Sequence, residues 1–188
     1  MELSNLNIKN GLCISLGANI DSKFGSPLDT LLICKPKVEE IIKEWRDQSI
    51  TKKEENKKFN TQFLWSSIYE TLPHGVEYEQ PNYLNTLVLI KSNYLPKPSN
   101  INAKLLLKEL KKLESFFGRE KTPKGKKWLS RCLDLDILWW EELHIFDEEL
   151  KLPHPRFMNR NFVISPLSEI LSRSQKIKKL DEPRWSIT

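Results

Sequence analysis

The sequence predicts an α+β fold of the ferredoxin-like type, βαββαβ, an antiparallel sheet with helices packed on one face plus a C-terminal hairpin and helix. Three observations predict it. Four short segments are rich in β-branched and aromatic residues, two segments carry apolar residues at helical spacing, and Gly, Pro, Asn and Ser punctuate the joins.

LCISL, 12 to 16, is a short apolar strand ending at Gly17, and GANIDSKFGSP follows as a loop. Ser26 and then Pro27 open a helix running to about Trp45, with Leu28, Leu31, Leu32, Val38, Ile41 and Ile42 available for an inner face and Pro36 as an expected kink. A mixed-charge block over 46–62, containing RDQSITKKEENKK, has few apolar residues and reads as a solvated insertion. FLWSSIYET, 63 to 71, is a strand that stops at the loop LPHGVEYEQPN, and YLNTLVLIKSN, 83 to 93, is the next.

After a Pro/Ser/Asn linker, Leu105, Leu106, Leu110, Leu113 and Phe117 mark a helix over 101–117, with Gly118 as its C-terminal cap. A basic segment, GREKTPKGKKWLSR, leads into the fourth strand, RCLDLDILWW. EELHIFDEELKLPHPRF holds a small hairpin, a short helix spans about 165–171, and 172–188 is a polar tail.

With 188 residues, 39% of them hydrophobic, the chain is the size of one ordinary domain, 1–188. No apolar run approaches the roughly 18 residues of a membrane span, and MELSNLNIKNG lacks the basic and apolar regions of a signal peptide. A cytoplasmic protein without a membrane partner is the expectation. Cys13, Cys34 and Cys132 are an odd number at no metal-ligand spacing, which leaves reduced thiols packed as small hydrophobes. The net charge of +5 favours anionic partners, among them nucleic acid or a polyphosphate.

The chemistry is concentrated in DLDIL. Period-2 alternation sends Asp134 and Asp136 to one face, roughly 6 to 7 Å apart by strand rise, and Leu133, Leu135 and Ile137 to the other. Two such carboxylates repel unless a cation lies between them, and hard divalent ions such as Mg²⁺ take carboxylate oxygen while leaving positions for substrate phosphates. For an arbitrary D-x-D, the solvent face of an edge strand is the commoner explanation. Tyr83 and Asn85 share a strand face by the same rule. No G-x-x-x-x-G-K-[ST] is present, so a P-loop nucleotide site is not expected.

Four segments taken in order, SLGANI, SSIYETLPHG with QPNYLNTLV, WLSRCLDLDIL and LPHPRFMNRNFVISPL, resemble the 6-hydroxymethyl-7,8-dihydropterin pyrophosphokinase family of folate biosynthesis. That resemblance implies transfer of pyrophosphate from ATP to the pterin's hydroxymethyl oxygen, with two Mg²⁺ ions held by Asp134 and Asp136. It implies that Arg119, Lys127, Arg131, His154 and Arg160 bind ATP, with Arg131, Asp134, Asp136, His154 and Arg160 as the catalytic set. It also implies a pterin site made by Thr71, Pro73, Tyr83, Asn85, Trp128, Asp134 and Phe162, in which Tyr83 and Phe162 sandwich the ring and Asn85 reads its edge. A monomer that binds no nucleic acid is implied as well.

Two departures stand out. WLSR replaces the commoner WGPR, and the basic loop is longer than in many relatives and uses lysine where they use arginine, a point charge instead of a bidentate fork. The competing class is a ferredoxin-like RNA-binding module without catalysis. It needs exposed rings where DLDILWW carries carboxylates, and two acids there repel a phosphate backbone.

Overall fold

The computed structural model describes residues 11–49, 59–73, 79–120 and 129–174. Its elements are β1 (Leu12–Ala18), α1 (Pro27–Asp47), β2 (Thr61–Trp65), β3 (Tyr69–Thr71), β4 (Tyr83–Ser92), α2 (Asn100–Phe116), β5 (Asp134–Trp140), β6 (Ile145–Phe146), β7 (Lys151–Leu152) and α3 (Asn161–Ser174). The main sheet has the order β2-β4-β1-β5 with every pair antiparallel, and β3 pairs β4 beyond the end of β2. The architecture is thus α+β, an antiparallel sheet with three helices, and β6 and β7 form the expected hairpin.

Helix α1 starts where local chemistry dictates. The Ser26 hydroxyl accepts the Asp29 N–H, the Asp29 carboxylate accepts the Ser26 N–H at 3.0 Å, and Pro27 fits a first turn that needs no N–H. Leu31, Cys34, Val38, Ile42 and Trp45 recur every three or four residues and are buried against the sheet. Leu28 and Leu32, two of the residues expected inside, are exposed, because the stripe through Cys34 turns them outward. Pro36 is also exposed and lies within an unbroken helix. On α2 the buried stripe is Ala103, Leu106, Leu110 and Leu113, continued by Phe117, while Leu105 faces out.

Alternation along the strands sends Leu12, Ile14, Leu16, Val88, Ile90, Leu135, Ile137 and Trp140 to the α1–α2 face. Cys13, Leu87, Leu89, Leu138 and Trp139 face the other way and are covered by Phe157 and by Val163, Leu167 and Ile170 of α3. The expectation of helices on one face holds for α1 and α2, and the C-terminal addition α3 packs on the other face. Its apolar stripe needs a second surface, and the opposite faces of β1, β4 and β5 supply one. Helix α3 is also longer at both ends than the stretch 165–171, with Pro166 tolerated near its start.

Two irregularities shape the upper face. The single strand expected over 63–71 is broken, because three residues, Ser66, Ser67 and Ile68, oppose two on β4, Thr86 and Leu87. The Ser66 N–H donates to the Leu87 carbonyl at 3.0 Å, and the Ser66 hydroxyl accepts the Leu87 N–H at 3.0 Å. On β5 the register against β1 slips beside Cys13, so Leu138 and Trp139 both join the α3 cluster and the Leu138 carbonyl accepts the His154 N–H at 2.7 Å. The buried Trp139 and Trp140 indole N–H groups lack partners among the described residues, a cost of about 1–3 kcal/mol each set against burial of two large rings.

Burial keeps the thiols protonated: it pushes Cys34 up to about 12 and raises Cys13 and Cys132 as well. The edges of the charged 46–62 block are ordered, since α1 runs to Asp47, the Arg46 guanidinium donates to the Thr61 hydroxyl at 2.9 Å, and β2 begins at Thr61. Residues 50–58 and 175–188, the centre of that block and most of the tail, lie outside the described residues. Among the described residues no helix is long and apolar enough to cross a membrane.

Candidate functional site

The upper face of the sheet is covered by α3 over only part of its length. Along β1 the residues on that face run Cys13, Ser15, Gly17; along β4, Leu89, Leu87, Asn85, Tyr83; along β5, Leu138, Asp136, Asp134. Each strand changes from apolar to small or polar where the helix ends. What remains is a cleft of about 460 Å³ lined by Ser15, Leu16, Gly17, Thr71, Leu72, Tyr83, Asn85, Leu129, Arg131, Asp134, Asp136, His154, Arg156, Arg160 and Phe162.

Strand register brings the polar groups together. Gly17 lies directly between Asn85 and Asp134, and Ser15 pairs with Asp136. A Cβ on Gly17 would stand 2.9 Å from the Asn85 Oδ1, so only glycine leaves the amide its place. The Asn85 Nδ2 donates to the Thr71 hydroxyl at 2.8 Å, which directs its Oδ1 away from β3. The Tyr83 hydroxyl donates to the Leu129 carbonyl at 3.2 Å, and the Arg160 guanidinium lies 5.2 Å from the centre of the Phe162 ring.

At the other end stands the acid pair. Asp134 accepts from Arg119 at 2.6 Å on one oxygen and from Arg131 at 2.5 Å on the other. Burial pushes its carboxyl up, but Arg131, Arg119 and Lys111 outweigh burial and hold it below its ordinary value. Asp136 shifts the opposite way, raised first by burial and then by the Asp134 charge, with Lys111, His154 and Arg160 opposing. Desolvation lowers the His154 pKa despite the pull of Asp136, leaving a neutral imidazole at pH 7.

Arg119 reaches Asp134 because of how α2 ends. Gly118 takes a φ of 100°, the Arg119 N–H returns to the Glu114 carbonyl at 3.0 Å and the Gly118 N–H to Ser115 at 3.0 Å, a Schellman turn. The turn throws the guanidinium back over Glu114, whose side chain is only 3% exposed and accepts from Arg119 at 2.5 Å, Lys111 at 2.8 Å and the Leu135 N–H at 2.7 Å. Asn19, 2% exposed, ties the opposite rim: its Oδ1 accepts the Arg131 N–H at 2.7 Å and its Nδ2 donates to the Pro81 carbonyl at 3.2 Å.

Of the residues named from sequence, the cleft brings together Thr71, Tyr83, Asn85, Arg131, Asp134, Asp136, His154, Arg160 and Phe162, and Arg119 joins through Asp134. Pro73 does not line it, whereas its neighbour Leu72 does. Lys127 and Trp128 lie outside the described residues. Ser15, Gly17, Leu129, Arg156, Asn19 and Glu114 were missed; alternation from Asp136 could have found Ser15 and Gly17 once the β1–β5 register was known, but single-sequence patterning carries no register.

Among the described residues no group of three or more His, Cys, Asp or Glu side chains forms a metal cluster. Two carboxylates with no soft donor suit a hard cation that completes its shell with water and phosphate oxygen. Mutual repulsion at Asp136 is the charge imbalance such a cation would relieve. An acid pair flanked by Arg131, Arg156, Arg160 and His154, beside two rings and an amide, defines the class: an α+β protein whose cleft suits a polyanion at one end and a flat polar molecule at the other.

The family model described as 7,8-dihydro-6-hydroxymethylpterin-pyrophosphokinase matches residues 13–172, and the chain belongs to that family. Among curated relatives, the 2-amino-4-hydroxy-6-hydroxymethyldihydropteridine pyrophosphokinase of Bacillus subtilis is 39% identical over 111 residues, 59% of this chain and 60% of its own length. The Haemophilus influenzae protein of the same name is 38% identical over 107 residues, 57% and 60% of the two chains. A folate synthesis bifunctional protein of Arabidopsis thaliana is 37% identical over 106 residues, 56% of this chain and 20% of that protein. The aligned stretch thus spans about 60% of the length of the first two.

Proposed function

We propose that this chain transfers the terminal pyrophosphate of ATP to the hydroxymethyl oxygen of 6-hydroxymethyl-7,8-dihydropterin, giving AMP and the pterin diphosphate. One observation carries the reading: a single cleft holds the acid pair and its cations at one end and Tyr83, Asn85 and Phe162 at the other, in a chain of this family.

Tyr83 and Phe162 stack on the two faces of the pterin, and Asn85, oriented by Thr71, hydrogen-bonds its edge. Arg131, His154 and Arg160 hold the phosphates, with Lys127 and with Arg119 released from Asp134, and Trp128 belongs to the pterin contacts. Pro73 shapes the backbone beside the pterin. Asp134 and Asp136 would hold two Mg²⁺ ions, which supply charge neutralisation for the polyphosphate. The chain's own work is positioning: the hydroxyl oxygen is set in line with the β-phosphorus, the new P–O bond forms there, the bond from β-phosphorus to the α,β-bridging oxygen breaks, AMP leaves, and the hydroxyl proton passes to water. A neutral His154 donates a hydrogen bond to phosphate without competing for a proton. We also read the sheet as ferredoxin-like, an inference supported by the strand order β2-β4-β1-β5 and by β5 running antiparallel to β1, and the chain as one domain acting as a cytoplasmic monomer.

The test is to incubate the protein with Mg²⁺, ATP and the pterin and to separate the nucleotides, with EDTA and with Asp134→Ala/Asp136→Ala as controls. AMP formed in step with pterin diphosphate, and lost by at least about a thousandfold in both controls, is expected for loss of several kcal/mol of charge stabilisation. ADP would mean single-phosphoryl transfer. No turnover, with oligonucleotide binding that survives EDTA and falls with salt, would favour the RNA-binding alternative.

A further inference from the structure

A carboxylate outside the lining of the cleft holds the segment that leads into β3. Glu169, on the second half of α3, accepts the Ser67 N–H at 2.8 Å, the Ser67 hydroxyl at 2.8 Å and the Tyr69 hydroxyl at 3.1 Å. It also pairs with Arg173 one turn on. The Ser67 amide is free for this because the bulge between β2 and β3 takes it off the ladder. Burial pushes the Glu169 carboxyl up, but these donors and the Arg173 charge outweigh it, so the side chain stays ionised.

Strand β3 is only three residues long, pairs on one side with β4 and carries Thr71, the group that orients Asn85. A strand that short has little ladder to hold it in place. Glu169 fixes its entry, and the same helix begins with Phe162 on the far wall of the cleft. We infer that Glu169 is a positioning residue for the pterin: by clamping the Ser66–Ile68 bulge to α3, it sets the separation between the Asn85–Thr71 pair and the Phe162 ring, and hence affinity for the flat substrate. It touches neither substrate. The inference rests on the proposed function.

Steady-state kinetics with each substrate varied, on the full chain, test it. Glu169→Ala is expected to raise the KM for the pterin about tenfold, the scale of one misaligned hydrogen bond, with kcat and the KM for ATP within about twofold of wild type. Ser67→Ala, which keeps the backbone amide and removes one donor, is expected to give the same split in weaker form, and Glu169→Gln to recover most of the loss. Ser67→Ala and Glu169→Gln carry the test if Glu169→Ala does not fold. A pterin KM unchanged in variants that do fold, or both KM values rising together, would overturn the inference while leaving the function intact, since the wild type still turns over. A wild type that makes no AMP would overturn the function and this inference with it.

Discussion

At the scale of single residues the site is a set of constraints each traceable to one atom. Gly17 shows this best, because it does nothing chemically and yet decides where Asn85 sits: a Cβ there would meet the amide oxygen at 2.9 Å while the β4 backbone on one side and β5 on the other are fixed by the ladder. The side chain must move, and the Asn85–Thr71 hydrogen bond moves with it. Gly17→Ala is therefore expected to raise the pterin KM by about tenfold or more and to leave ATP binding close to wild type, since the atoms nearest the added Cβ belong to Asn85 and Tyr83 and to none of the phosphate-facing groups. Thermal denaturation should change little, because alanine tolerates an extended strand. Titration of pterin fluorescence against the variant checks this, and unchanged affinity would show that Asn85 is free to reorient. The acid pair obeys the same logic in reverse. Asp134 is kept ionised by two guanidinium groups, and Asp136 is raised by burial and by Asp134, so the structure separates the two carboxyls electrostatically before any ligand arrives.

At the scale of elements, what was legible in the sequence is what local physics controls. Strand alternation put Asp134 with Asp136 and Tyr83 with Asn85, and the caps at Ser26 and Gly118 marked helix ends within a residue or two. What was hidden depends on partners distant in sequence. The break at Ser66–Ile68 is set by β4 and Glu169, the exposure of Leu28, Leu32 and Leu105 by how each helix is rotated onto the sheet, and the face that α3 covers by strand order. Arg156 lies within LPHPRF, in one of the segments that carry the resemblance, but its residue type alone made it one more cation in a basic chain. Helix α1 offers an element-scale prediction. Pro36 sits mid-helix on the exposed side, lacks the N–H that would donate to the Leu32 carbonyl, and crowds that carbonyl with its ring, yet the helix continues because the buried stripe on either side holds it. Pro36→Ala removes the conflict without touching the core. It is expected to stabilise the protein by about 1–3 kcal/mol in urea denaturation, with activity unchanged. A neutral or destabilising result would mean that the proline's fixed φ contributes more through the unfolded chain than its missing N–H costs in the helix.

At the scale of the whole molecule the distribution of charge matters more than its total of +5. Arg131, Arg156 and Arg160 line the cleft around the half-buried Asp136, Arg160 reaching to 5.2 Å from the centre of the Phe162 ring, while Leu72, Tyr83 and Asn85 bring no charge of their own. The two proposed substrates therefore meet different fields. ATP arrives as a polyanion drawn to a cationic rim that a low-dielectric wall focuses, whereas the neutral pterin is captured by stacking and hydrogen bonding, which salt scarcely screens. Raising ionic strength from about 0.1 M to about 1 M shortens the Debye length from roughly 10 Å to roughly 3 Å, which screens long-range attraction and leaves direct contacts largely intact. The kcat/KM for ATP should consequently fall by about tenfold or more across that range, at constant free Mg²⁺, while the KM for the pterin stays within about twofold. Substituting Arg156, which lines the rim and bears on both His154 and Arg160, with Gln should flatten the ATP dependence without changing the pterin's. Equal salt sensitivity for the two substrates would mean that the charges act on the fold as a whole and that the division of the cleft into a polyanion end and a stacking end is wrong.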